Sequence, residues 1–381
     1  MPQPHTPAEF PGGRALFRLD PDISHLNHGS FGAAPVPVLE VQAAVREEQH
    51  ADPDAFFVGA PERIAEARVR LAAPLAADPD GIAFVANATE GANVVMNSLD
   101  FDEGDEILVT DHGYGTVTAA AARRAPLRTV ALDPELPDED AVCEAVLAAV
   151  TPRTRAAVLD HITSPTARLV AGPRLLAELA DRGVTTIVDG AHALGMLAEP
   201  LAGGADFYFG NLHKWAYAPP GAAVLAVAPA HRAAIRPLSP SWEDHHGFPR
   251  SLEWRATADY TAWLAAPEGL AFLDGLGAEK VRAHNAALAA YGSEVLADRL
   301  GLRPLPYADG VAMRSLRLPA GVADTLERAR ALREEIADRL RIRVTVWGWE
   351  GAGGIRVCGQ LYNRPEEYEA LAVGLAGLLD R

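Results

Sequence analysis

Residues 156–189 read AAVLDHITSPTARLVAGPRLLAELADRGVTTIVD, and the texture changes three times along this stretch. AAVLDHI is a nearly unbroken apolar run, which suits a strand covered on both faces rather than one with a wet side. From Pro173 to Arg182 the leucines return at helical spacing, and Gly183 then supplies a helix stop. TTIVD at residues 185–189 is a second buried strand. A strand, a helix and another strand buried on both faces make one parallel crossover unit, and such units build α/β layers.

The same alternation extends outward. Strands are expected at Ile82–Asn87, Glu106–Thr110, Arg128–Leu132, Asp206–Gly210 and Ala222–Ala228, with helices at Glu90–Leu99, Tyr114–Arg124 and Glu139–Val150. After Pro237 a Pro- and His-rich stretch, PLSPSWEDHHGFPR, reads as a loop. A long helical stretch from about Asp259 to Leu300 follows, then short strands and two more helices. The expected architecture is a large α/β domain over residues 20–262 with a mostly parallel seven-stranded sheet. A smaller α+β domain over 263–381 completes it, with residues 1–19 packing nearby.

The chain has 381 residues, 34 of them Lys or Arg and 51 Asp or Glu, for a net charge of −17. So acidic a surface repels phosphate backbones and anionic membranes, and no nucleic-acid or membrane partner is expected. The two cysteines, Cys143 and Cys358, have neither CxxC nor metal-ligand spacing, and no metal site is expected. The start, MPQPHTPAEFPGG, has no secretory pattern, and the longest apolar run is interrupted by Pro219 and Pro220. A cytoplasmic protein is expected.

Lysine is scarce: only Lys214 and Lys280 occur. Guanidinium stays protonated, whereas an amine can lose its proton and attack a carbonyl. Lys280 sits on a polar helix face, but Lys214 lies among aromatics in FYFGNLHKWAY. Asp189 ends a buried strand, and in open α/β sheets ligands bind beyond that edge. A buried acid and an amine there suit a pyridine aldehyde cofactor, pyridoxal 5′-phosphate (PLP). The acid would keep the ring nitrogen protonated and the amine would form the Schiff base. A plain strand-end ion pair would give the same pattern. The turn between strand and helix in IAFVANATEGANVV, with backbone N–H groups around Ala88, Thr89 and Glu90, offers a seat for a phosphate or simply a capped helix.

Six segments in order, ANATEGAN, TDHGYG, HITSPTA, VDGAHALG, GNLHKW and IRVCGQLYN, resemble the aminotransferase class V family, with fold type I. Within that family, HLNHGSFGAAP at residues 25–35 is similar to the N-terminal segment of isopenicillin N epimerase-like proteins. The resemblance covers roughly residues 20 to 365. It implies Lys214 as the Schiff-base lysine, Asp189 as partner of the ring nitrogen, and His192 and Ser164 near the phenolic oxygen. It further implies Thr89 and His213 on the phosphate with backbone help from Ala88, and Tyr114 stacked on the ring. Arg356 would hold a substrate carboxylate, and Asn27, His28 and Ser30 would line the substrate pocket. Thr257 matches a threonine that reaches the phosphate from a partner subunit, so a homodimer with shared sites is implied. Ala256 departs from the family's Gly-Thr pattern there.

PLP chemistry at Cα leads to epimerisation, transamination or β-elimination, and Lys214 and Asp189 serve all three. TVWGWEGAGG, residues 345–354, lacks the mobile-loop cysteine that desulfurases need, and Cys358 lies two residues past Arg356. The expected activity is isopenicillin N epimerase-like, on an amino-acid substrate, with His28 and Tyr114 as candidates for a second acid/base. The alternatives are a C–S lyase of the hercynylcysteine sulfoxide type and a non-catalytic PLP-binding regulatory protein. The regulatory reading is disfavoured because no DNA-binding module precedes residue 20.

Overall fold

Seven short strands, all but the edge strand Leu127–Val130 largely buried, together form one sheet in a computed structural model describing residues 6–349 and 351–379. By chain order the strands are β1 (Ser24–His25), β2 (Ile82–Val85), β3 (Glu106–Thr110), β4 (Leu127–Val130), β5 (Thr154–Asp160), β6 (Thr185–Asp189) and β7 (Phe207–Asn211). They continue with β8 (Ala223–Val227), β9 (Arg303–Pro304), β10 (Met313–Arg317), β11 (Ile342–Arg343), β12 (Thr345–Trp349) and β13 (Ala352–Cys358). The large sheet has the order β2-β8-β7-β6-β5-β3-β4. All its pairings are parallel except those of β8, which is antiparallel to both β2 and β7. This is the mostly parallel seven-stranded α/β sheet expected from the sequence. Apolar runs such as IAFV and EILVT are buried along their whole length because helices cover both faces.

The chain divides into two compact units, residues 34–163 with 169–275, and residues 1–33 with 164–168 and 276–381. This departs from the expected 20–262 and 263–381 in two places. The helix Thr261–Gly275 is buried along most of its length and stays with the sheet unit, and Gly277 at φ 82° then separates it from the helix Ala278–Leu300. The expected single helical stretch is therefore two helices. At the other end, β1 pairs in parallel with β11 (Ser24 with Ile342, His25 with Arg343), and Leu26 joins the second unit's core. A two-residue strand has too little sequence signal to announce that pairing. The expectation for residues 1–19 and 263–381 includes residues 1–5, 350, 380 and 381, which lie outside the described residues.

In the second unit β12, β13, β10 and β9 form an antiparallel sheet backed by helices Ala278–Leu300, Leu326–Leu340 and Pro365–Leu379. Among the described residues no helix is long and apolar enough to cross a membrane.

Candidate active site

In the sheet unit, Asp189 is the last residue of β6, and Lys214 follows β7, the next strand, by three residues. Phe209 of β7 is the register partner of Asp189, so the two side chains emerge at the same sheet edge. The loop after β7 is pinned where Leu212 and His213 both donate their N–H to Ala222 O, at 3.1 and 3.2 Å. Gly195, at φ 86°, lies against the backbone of Trp215, where a Cβ would come within 2.3 Å of the carbonyl oxygen. That close approach requires glycine. It holds the segment carrying His192 against the segment carrying Lys214, and Lys214 Nζ lies 3.4 Å from His192 Nε2.

Asp189 is 3% exposed. Its Oδ1 accepts from the Ala191 N–H at 2.9 Å, while Oδ2 is buried with no hydrogen-bond partner among the described residues. Burial raises its pKa, with the Ala191 N–H and the Lys214 charge as smaller opposing effects. His213 donates through Nδ1 to Ala222 O at 2.8 Å, and burial lowers its pKa, which keeps the ring neutral.

The helix Ala88–Ser98 begins beyond β2, capped by Asn87 Oδ1 on the Glu90 N–H at 2.9 Å. The Ala88 N–H donates to Asn211 Oδ1 at 2.9 Å. This corrects the expected use of Ala88: its N–H is committed inside the protein and is not an anion donor. Asn211, missed in the sequence, is the residue that ties this helix to the end of β7; it opens the NLHKW run, which was its only signal. The Thr89 hydroxyl lies 3.0 Å from that of Thr116. Tyr114 is exposed and caps the start of the helix Gly115–Ala122. Thr257 is also exposed, next to Ala256, whose φ of 54° is the left-handed conformation that glycine adopts without cost. The glycine of the family pattern thus has a backbone reason, and Ala256 keeps the shape despite its Cβ.

Asp160 was also missed. It ends β5 as Asp189 ends β6, and the two are register partners. Burial raises its pKa well above the usual carboxylate range, and the neighbouring Asp189 charge adds to this.

In the second unit Arg356 of β13 is fully buried, and among the described residues its hydrogen-bond partners are neutral. Nη1 donates to Ser164 O and, at 3.3 Å, to Ser164 Oγ. Nη2 donates to Asn27 Oδ1 at 3.0 Å, Ser30 Oγ at 3.2 Å and Thr345 Oγ1 at 3.0 Å. Nε has no partner among the described residues. Burying a guanidinium without a carboxylate is costly, so the group is poised for an anion. His28 is buried, with Nδ1 2.9 Å from Tyr362 Oη. Arg356, Asn27, Ser30 and Ser164 thus form one cluster, and Ser164 belongs to it through Arg356.

The aminotransferase class-V family pattern matches residues 42–311. The chain belongs to this family. It is 36% identical to isopenicillin N epimerase of Amycolatopsis lactamdurans, over 96% of this chain and 97% of the relative. It is 27% identical to hercynylcysteine sulfoxide lyase of Schizosaccharomyces pombe, over 80% of this chain and 82% of the relative. Among solved structures, a C-DES mutant with glycine covalently linked to its PLP cofactor superposes with a TM-score of 0.82 at 22% identity, covering 95% of this chain and 98% of the other. As a class-V family member the chain is a PLP-dependent enzyme. The groups at the β6 and β7 ends fit that cofactor. The unsatisfied Asp189 Oδ2 is a buried acceptor for a ring N–H, and Lys214 is the amine beside it.

Proposed function

We propose that this enzyme moves the Cα proton of an L-amino acid or amino-acid-derived substrate, in the manner of isopenicillin N epimerase. Proton movement at Cα is supported by Lys214, 3.4 Å from His192, with an orphaned buried oxygen on Asp189 at the same sheet edge, and the epimerase reading is supported by the 36% identity to isopenicillin N epimerase over nearly the whole chain. PLP supplies an electron sink for the charge left when Cα loses its proton. The chain does the rest. Lys214 holds the cofactor and carries the proton at Cα. Asp189 keeps the ring nitrogen protonated through Oδ2. His192 would adjoin the phenolic oxygen, Tyr114 would cover the ring, and His213 and Thr89 would take the phosphate. Arg356 takes the substrate's α-carboxylate in its planar fork, which Asn27, Ser30 and Thr345 hold in position. His28 and Tyr114 are the candidates for the acid/base on the opposite face. Thr257, exposed on the single chain, is assigned to the phosphate of a partner subunit in a homodimer.

The test is incubation of the PLP-loaded protein with L-amino acids in deuterated water. Deuterium at Cα with inversion, and without keto acid, is the expected result. Release of pyruvate from a cysteine-derived substrate would instead support C–S lyase activity, the second reading, which the likeness to hercynylcysteine sulfoxide lyase favours. A keto acid from the substrate would indicate transamination, and if none of the three occurred with any amino acid tested, a regulatory PLP-binding role would take their place.

A further inference from the structure

Asp160 closes β5 where Asp189 closes β6, and the register pairs the two residues directly. Register partners on neighbouring parallel strands share a face and lie roughly 4.8 Å apart. The two carboxyls therefore stand side by side, both buried, at the edge where Lys214 emerges. The Asp160 carboxyl also reaches the loop after β3. It accepts the Tyr114 N–H, and its Oδ2 lies 3.7 Å from where a Cβ on Gly113 would stand. Asp160 thus stands between two segments that the proposed function uses at the ring, the strand end carrying Asp189 and the turn carrying Tyr114.

Neighbouring carboxylates out of water do not both ionise readily. Burial lifts Asp189 to about 6, against the Ala191 N–H and the Lys214 charge. Burial lifts Asp160 well above the carboxylate range, and the charge on Asp189 lifts it further; the Lys214 charge and the Tyr114 N–H are smaller opposing effects. The pair therefore gives up its first proton from Asp189 and keeps its second on Asp160. On β7 the Tyr208 hydroxyl lies 3.0 Å from His161 Nδ1, and both groups are neutral. Burial and the Asp189 charge raise the phenol, and burial lowers the imidazole to about 4. Lys214 is thus the cation that faces the pair, and Asp189 its anion.

We propose that Asp160 is a positioning residue that acts through Asp189: it stands as a neutral carboxylic acid, donates its O–H to the Asp189 carboxylate and accepts the Tyr114 N–H. Asp189 is left as the anion for the ring nitrogen, with its orientation fixed from the neighbouring strand. This deepens the proposed function and rests on Asp189 as the partner of that nitrogen. A carboxylate has about four lone-pair sites, so the Ala191 N–H, a ring N–H and the Asp160 O–H can share Asp189 without conflict. An ionised Asp160 would offer Asp189 no donor and a like charge.

The test compares two substitutions in the PLP-loaded protein. Asp160→Asn keeps both bonds, an amide N–H toward Asp189 and an amide oxygen toward the Tyr114 N–H, without a titrating proton. Asp160→Ala keeps neither. The pH titration of the visible absorption and the PLP dissociation constant are expected to be the same in Asp160→Asn as in the wild type, because exchanging a neutral acid for a neutral amide changes no charge. Asp160→Ala is expected to weaken PLP binding roughly tenfold, the loss of one hydrogen bond to a charged group. Difference infrared spectra of aspartate-labelled protein, wild type minus Asp160→Asn, should show the carbonyl stretch of a protonated carboxylic acid at neutral pH. That measurement serves if Asp160→Ala does not fold. A displaced titration in Asp160→Asn, a carboxylate band in place of the acid band, or wild-type PLP affinity in Asp160→Ala would overturn the proposal. Failure of the Asp189 reading has its own signature: Asp189→Ala would bind PLP as the wild type does, whereas it still loses affinity when only the role of Asp160 fails.

Discussion

Asp160 and Asp189 stand side by side as register partners at the ends of two neighbouring parallel strands, 5% and 3% exposed. Burial raises both carboxyls, and the charge of Asp189 raises Asp160 further. The folded state therefore resists their ionisation while the unfolded chain ionises near pH ~3.9. Between that value and the raised folded values the native state holds more protons, so stability falls as pH rises through that window. Urea midpoints of the cofactor-free protein across this range are expected to decline with pH, and Asp160→Asn should flatten the decline. An identical slope in the variant would mean that the pair does not share this burden.

Lys214→Ala is expected to abolish the yellow colour of the PLP-loaded protein while leaving its far-UV circular dichroism intact. Lys214→Arg should fail equally, because a guanidinium keeps the charge but is a poor nucleophile. An unchanged visible spectrum in either variant removes Lys214 from the cofactor.

Arg356→Ala is expected to raise KM for an amino-acid substrate by the equivalent of roughly 2–5 kcal/mol. Arg356→Lys should recover little, since a point charge cannot reproduce the planar fork that Ser164, Asn27, Ser30 and Thr345 surround. Steady-state kinetics on the three proteins decides this, and wild-type KM in the alanine variant excludes the role.

Ala256→Gly should stabilise the protein by about 1 kcal/mol. It relieves a left-handed alanine, and the gain is partly offset by the freer unfolded glycine. Thermal unfolding measures this; a lowered Tm would show that the Cβ of Ala256 makes a contact worth more than the strain.

Much of the sheet unit was legible because its signals are local. TTIVD and AAVLD are short β-rich runs, and Asp189 at the end of one and Lys214 after the next strand announce a ligand edge. Asp160 escaped notice although it occupies the same strand-end position as Asp189. Its importance comes from strand order, β5 beside β6, which a single strand does not encode. Asn211 went unassigned for a related reason: its partner, the Ala88 N–H, lies 123 residues away. Ala88 was assigned to an anion on local helix-terminus logic that this distant side chain overrides. The β1–β11 pair is only two residues long on each side, and it moved residues 20–33 out of the expected large domain.

The sequence by itself determined the α/β class, the family, the PLP dependence and the identity of the scarce amine. Each of these is written in short contiguous patterns and in residue chemistry. The tertiary structure alone decided that, among the described residues, Arg356 is buried among neutral hydrogen-bond partners and Asp189 keeps an unsatisfied oxygen. Burial and the presence or absence of a partner are properties of the whole packed chain, because the group that would satisfy a charge is usually distant in sequence.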